Sequence, residues 1–189
     1  MLDWFNQIDT ELFLHVNNGM QNALLDAVCP WLREPKFWIP LYVLLLYLCV
    51  KEFGVKTIWV LLSVALLVLI SDQFSANLVK NTFQRLRPCN QPTLKAQVHL
   101  LVHCGSGYSF MSAHASNHFA IAVFLGLLLK QNYKYLIFAL VVWAFSIAFS
   151  QVYVGVHYPF DVTCGAIAGS LWGYLMWILL NRYSNKLRS

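Results

Sequence analysis

Charge is what this sequence lacks most. Asp, Glu, Lys and Arg supply 11% of its 189 residues, where a soluble domain carries roughly 25%, and that shortfall excludes an ordinary water-exposed globule. Cysteine is sparse too: five residues are too few for a disulfide-dense scaffold. The first 20 residues have no basic segment and include Asp3, Asp9 and Glu11, so no cleavable signal peptide is expected. Internal repeats and low-complexity linkers are also missing, which leaves a single domain over 1–189. What abounds is apolar: 59% of the residues are hydrophobic and the mean hydropathy is +0.57. The sequence predicts a small integral membrane protein. On a surface facing lipid, a formal net charge of +5 does not point to nucleic acid.

A spanning helix needs about 20 mostly apolar residues, with roughly 17 as a lower bound. Four stretches meet or approach this: 57–71, which continues through Asp72 towards Lys80; 113–129, with His114 and His118 as its ionisable groups; 135–156; and 162–181. A fifth, 37–50, reaches a bilayer's width with its flanking residues. Over 2–16, Leu2, Phe5, Ile8, Leu12, Phe13 and Val16 recur at roughly helical spacing, the pattern of an amphipathic helix lying in the interface. Residues 23–32 are apolar but short, so a sixth span over 20–34 stays open. The expected class is all-α: a polytopic membrane helical bundle with five firm spans, that open sixth, and a preceding N-terminal amphipathic helix.

With this order of spans, Lys51, Lys56, Lys130, Lys134, Arg182, Lys186 and Arg188 share one side, and Arg33, Lys36, Lys80, Arg85, Arg87 and Lys95 share the other. The first group reads as cytoplasmic by the positive-inside tendency, provided several of the second serve a site rather than topology.

The polar chemistry gathers on that second side in three segments. In the first, a helix running on to Pro88 would put Lys80, Gln84 and Arg87 on one face, two cations set to grip an anion. Snorkelling to lipid headgroups is the plainer alternative. In the second, Ser112 is an N-cap candidate, and small Ala113 leaves the first backbone N–H groups of the next helix open to phosphate. His114 falls in that first turn. His118 stands four residues on, the spacing of a zinc pair, but Ala115 occupies the metalloprotease glutamate's place. A packed helix histidine is the better reading of His118. In the third, Pro159 suits a first helical turn, and Asp161 lies one helical step from His157. A carboxylate there fixes the imidazole tautomer and frees the other nitrogen to attack. A purely structural His–Asp pair is the alternative.

Taken in order, Lys80/Arg87/Pro88, Ser112/His114 and Ser150/His157/Asp161 resemble the type 2 phosphatidic acid phosphatase family, whose pattern is KxxxxxxRP, PSGH and SRxxxxxHxxxD, with every spacing kept. The resemblance runs from about Asp72 to Asp161, and the span layout extends it over most of the chain. It implies a metal-independent lipid phosphatase without cofactor. His157, oriented by Asp161, attacks phosphorus to give a phosphohistidine. His114 protonates the leaving oxygen and then activates water. Lys80, Arg87, Ser112 and the N–H groups from Ala113 onward hold the phosphoryl oxygens, and Ser150 supports the pocket. The implied substrates are lipid phosphates in the bilayer: undecaprenyl pyrophosphate, phosphatidic acid or phosphatidylglycerol phosphate, or lipid A phosphates. The implied location is a bacterial inner membrane with the active site on the extracytoplasmic face. A phosphotransferase using the same site and a non-catalytic lipid-phosphate binder remain the alternatives, and no oligomeric state follows.

Two departures stand out. Met111-Ser112-Ala113-His114 replaces PSGH, and Gln151 replaces the arginine after Ser150. An amide there gives up a charged, bidentate donor, and Arg85, in the same cationic segment as Arg87, is the expected auxiliary cation. Cys89 and Cys104 bracket the loop 90–103 on this face. A bridge between them is permitted if the face is extracytoplasmic, with two free thiols as the alternative. Cys29, Cys49 and Cys164 read as buried hydrophobes.

Overall fold

The computed structural model describes residues 2–184, with the side chains of 4–75 and 77–182; Lys186 and Arg188, counted above for orientation, lie outside the described residues. Among these the regular structure is helical throughout: α1 (Leu2–Asn17), α2 (Ala23–Leu32), α3 (Ile39–Phe53), α4 (Thr57–Asp72), α5 (Lys80–Phe83), α6 (Ala113–Leu128), α7 (Leu136–Tyr153) and α8 (Pro159–Ser184). Three stretches are long and apolar enough to cross a membrane: Pro35–Asn90, which contains both α3 and α4, then Leu136–Tyr153 and Pro159–Arg182. Helix α6 is apolar and shorter, and α2, with 10 residues, is well below a bilayer's width. Large apolar side chains such as Val43, Tyr47, Leu62, Leu69, Phe138, Val142 and Ile167 face outward, as a lipid-facing surface requires.

Helices α6 and α8 form the centre, flanked by α4 and α7. Their closeness comes from small residues. A Cβ at Gly165 would stand 2.6 Å from the Ser112 carbonyl oxygen, and at Gly169 and Gly173 it would overlap the carbonyls of Ser116 and Ala120. Three glycines four residues apart thus let the backbones meet, the small-residue packing that membrane helices favour. The hydroxyls of Ser71 and Ser116, 2.7 Å apart, tie α4 to α6. Phe124, Leu128, Leu140 and Ile147 fill the apolar core on the other flank.

Two expectations are revised here. The helix does not run on to Pro88. After α4 it widens into a π-helical turn, Gln73–Val79, in which the Lys80 N–H donates to the Ser75 carbonyl. It then stops at Phe83, because Gln84 takes a left-handed conformation (φ 48°) and caps it. Arg87 is extended, with ψ 152°, as the residue before a proline prefers. Part of the α1 stripe turns to protein: Phe5 packs edge-on to Phe160 at 4.6 Å and Phe13 to Tyr158 at 5.6 Å, while Leu12 stays exposed. Helix α1 lies across α7 and α8.

Candidate active site

His157 sits in the turn between α7 and α8. Gly155 has a positive φ of 89° and packs so closely under Val98 that a Cβ would lie 2.6 Å from it, so the reversal needs glycine. His157 is 2% exposed. Its Nδ1 faces Asp161 Oδ2 at 3.4 Å, a loose contact of the kind that tightens when substrate arrives. Asp161 is wholly buried, and its orientation is fixed on both sides: Oδ2 accepts the Tyr158 N–H at 2.9 Å and Oδ1 accepts Arg85 Nη1 at 2.9 Å. Burial drives the His157 imidazole down to about 4, against the upward pull of Asp161. The ring is therefore neutral at physiological pH. With the proton on the nitrogen facing the carboxylate, the Nε2 lone pair is the free one.

Helix α6 begins where the sequence predicts. Ser112 caps it, its Oγ accepting the Ala115 N–H at 3.4 Å, while its own N–H donates to the Asp161 carbonyl at 3.1 Å. That second bond ties the start of α6 to the start of α8 and brings His114 to the site. His114 and His157 lie within electrostatic reach of each other. Ala113 and His114 are half-buried in the first turn. His118 turns inward as a packing residue: its Nδ1 donates to the His114 carbonyl at 2.7 Å and its ring meets Trp143 at 5.1 Å.

Lys80 and Arg87 both act electrostatically on His157, so they converge on the site although the helix between them breaks. Arg87 is set by its loop: Nε donates to the Gly107 carbonyl at 2.9 Å, and the guanidinium lies against Gly105. Asn90 holds the Gly105 carbonyl at 2.9 Å, and Cys89 and Cys104 are joined by a disulfide with Cα atoms 6.1 Å apart. Ser150 is buried, and its hydroxyl donates back to Ile147 at 2.7 Å, so it braces α7. Gln151 is 1% exposed and neither amide atom has a partner, a costly arrangement unless a ligand completes it. Arg85 is not free to take the missing arginine's place at an anion. Its Nη1 and Nη2 are bound by Asp161 and, at 2.7 Å, by Asp9, and its guanidinium lies 3.9 Å over the Tyr158 ring.

Two residues at this site carry no motif. Asp9 bridges α1 to the site, accepting Arg85 and the Phe160 N–H at 2.9 Å; the signal for it is an acid on an otherwise apolar stripe between Phe5 and Phe13. Arg33, at the end of α2, acts electrostatically on both His114 and Arg87, and its Nε is buried without a partner.

Residues 56–184 match the PAP2 superfamily. The chain is 31% identical over 192 residues to a lipid A 4'-phosphatase of Bacteroides thetaiotaomicron, covering 100% of this chain and 84% of that protein. It is also 28% identical over 173 residues to an undecaprenyl-diphosphatase of Sulfolobus acidocaldarius, covering 88% and 76%. Among solved structures, a transmembrane PAP2-type phosphatidylglycerolphosphate phosphatase from Bacillus subtilis has a similar fold (TM-score 0.76, 21% identity, 95% of this chain and 87% of that one). LpxE of Aquifex aeolicus is similar with a TM-score of 0.65 and 27% identity, over 89% of this chain and 94% of that one.

Proposed function

This chain belongs to the PAP2 superfamily and is a membrane phosphatase, and we propose that it hydrolyses a lipid phosphomonoester of the lipid A 4'-phosphate type through a phosphohistidine on His157. The observation that carries the mechanism is the buried His157–Asp161 pair, within electrostatic reach of His114 in the first turn of α6. In the first step the Nε2 lone pair of His157 forms a bond to phosphorus while the ester P–O bond breaks, and His114, protonated in the complex with the phosphate dianion, gives that proton to the leaving oxygen and becomes neutral. In the second, water forms a bond to phosphorus while the P–Nε2 bond breaks and neutral His114 takes the water's proton, releasing inorganic phosphate and restoring neutral His157. Lys80, Arg87, Ser112, the α6 N–H groups from Ala113 onward and the Gln151 amide hold the three phosphoryl oxygens. Most of the catalysis in such a transfer is this positioning and charge stabilisation. Ser150 supports the pocket wall, and the Cys89–Cys104 bridge secures the loop that sets Arg87.

The lipid A type is favoured over the undecaprenyl and phosphatidylglycerol types by the full-length similarity to the Bacteroides enzyme. We further propose one domain with five spans, formed by α3, α4 with its π-helical continuation, α6, α7 and α8. Helices α1 and α2 rest at the extracytoplasmic rim of a bacterial inner membrane, where the site opens at headgroup level. The test is phosphate release by the purified protein from lipid A 4'-phosphate, undecaprenyl pyrophosphate, phosphatidylglycerol phosphate and phosphatidic acid, with His157→Ala as control. Preferred release from lipid A supports the reading. Release that survives His157→Ala refutes the mechanism, and a preference for another lipid refutes the substrate.

A further inference from the structure

The site is short of one cation. Where the family pattern has an arginine, Gln151 offers a buried amide with no partner, and Arg85 is bound by Asp9 and Asp161. Yet a third guanidinium reaches the site from outside the motif region. Helix α2 packs on α7, the helix that carries Gln151, and Arg33 is the residue that ends it. The chain just beyond is anchored in place. Trp38 Nε1 donates to the Leu32 carbonyl at 2.7 Å, its ring meets Trp143 of α7 edge-on at 5.9 Å, and Trp143 in turn meets His118, one helical turn from His114.

Arg33 thus stands at the end of α2, which packs on α7, with its Nε buried and unpartnered. Its charge lies within reach of Arg87 and His114, with Glu34 as the acid beside it. Two partly buried guanidiniums brought within reach of each other repel, an arrangement relieved when a dianion enters between them. A helix C-terminus favours a cation, which accounts for an arginine at this position but not for a buried nitrogen without a partner.

We propose that Arg33 binds the phosphate of the substrate, supplying from α2 the guanidinium that Gln151 does not supply from α7. This rests on the reading of the site as a lipid phosphatase. With Lys80 and Arg87 it makes a three-cation cradle around the transferring group, one member of which belongs to a helix outside the region that carries the family's motifs.

The experiment compares wild type with Arg33→Ala, Arg33→Gln, Arg33→Lys and the double variant Arg33→Ala/Gln151→Arg, each purified in detergent. The readouts are phosphate release from lipid A 4'-phosphate and binding of orthovanadate. Loss of one charged hydrogen bond should lower kcat/KM roughly 10- to 150-fold in the Ala and Gln variants, with Lys in between. Gln151→Arg should return most of that loss in the Arg33→Ala background. A role confined to capping α2 would not be rescued from α7, so failure of the rescue overturns the proposal, as does an Ala or Gln variant within threefold of wild type. Should wild type release no phosphate from any lipid, the phosphatase reading itself fails. Orthovanadate then decides for Arg33: affinity at least tenfold weaker in Arg33→Gln supports the cradle, and unchanged affinity overturns it.

Discussion

His157 is held neutral by its surroundings, and that has a consequence for stability as well as for attack. The buried imidazole protonates only near pH 4, whereas in the unfolded chain it does so near about 6.5. Between these values the unfolded state binds the extra proton, so stability is full above about pH 6.5 and is lost as the pH falls towards 4. Thermal melts of the detergent-purified protein should show this fall, and His157→Asn should flatten it. Equal slopes in the two proteins would contradict the assignment. His114→Ala should cost about 10²–10⁴-fold in turnover, the usual worth of a proton-transferring group. The loss should shrink with a lipid substrate whose leaving group needs no proton. At this scale the sequence made the motif residues plain, because their spacings are local or stereotyped. Asp9 and Arg33 were invisible as site residues: Asp9 meets Arg85 across 76 positions, and no local pattern encodes such a meeting. The pairing of Arg85 is hidden for the same reason, since its two carboxylates come from α1 and α8.

Among the elements, the pairing of α6 with α8 sets the site, because it joins the helix of His114 to the helix of Asp161. Gly169→Leu would drive a side chain into the Ser116 carbonyl and should separate the two starts. Activity should vanish, and the melting temperature should fall with a cost of about 1–3 kcal/mol or more for overpacking; a fully active Gly169→Leu would remove the packing argument. The bridge is the second element to probe. Replacing Cys89 and Cys104 by Ser should cost about 3 kcal/mol for a loop of this size and loosen Arg87, so KM for the lipid phosphate rises. Unchanged KM would mean the loop holds its shape through Asn90 and Gly107 alone. The apolar stretches are readable from hydropathy, and α3, α4, α6, α7 and α8 all begin within three residues of where the sequence places them. The end of α5 was not. A π-helical turn and a left-handed Gln84 have no compositional mark, whereas Pro88 is an obvious stop, and the obvious stop lies five residues beyond the real one.

Over the whole molecule, the proposed arrangement is a membrane bundle with its chemistry at one rim and two further helices, α1 and α2, laid on that rim. Both helices serve the site: α1 brings Asp9 to hold Arg85 on Asp161, and α2 brings Arg33, the proposed third cation. Composition revealed the bundle but not the cover, because an amphipathic stripe reads the same against lipid and against protein. The proposed orientation has a direct test. In intact cells a membrane-impermeant thiol reagent should label Thr93→Cys in the loop beside the site and leave Lys134→Cys, in the turn between α6 and α7, unlabelled until the membrane is broken. The reverse pattern would put the site in the cytoplasm and remove the rationale for a bridged Cys89–Cys104.

In the proposed reaction a phosphoryl group passes through His157. Purified protein is mixed with lipid A radiolabelled in its 4'-phosphate, quenched within the first turnover, and digested under alkaline conditions that preserve phosphohistidine. Acid-labile label is expected on the peptide containing His157 and absent from His157→Ala. Label on another residue, or phosphate release by His157→Ala at the wild-type rate, would contradict the proposed reaction.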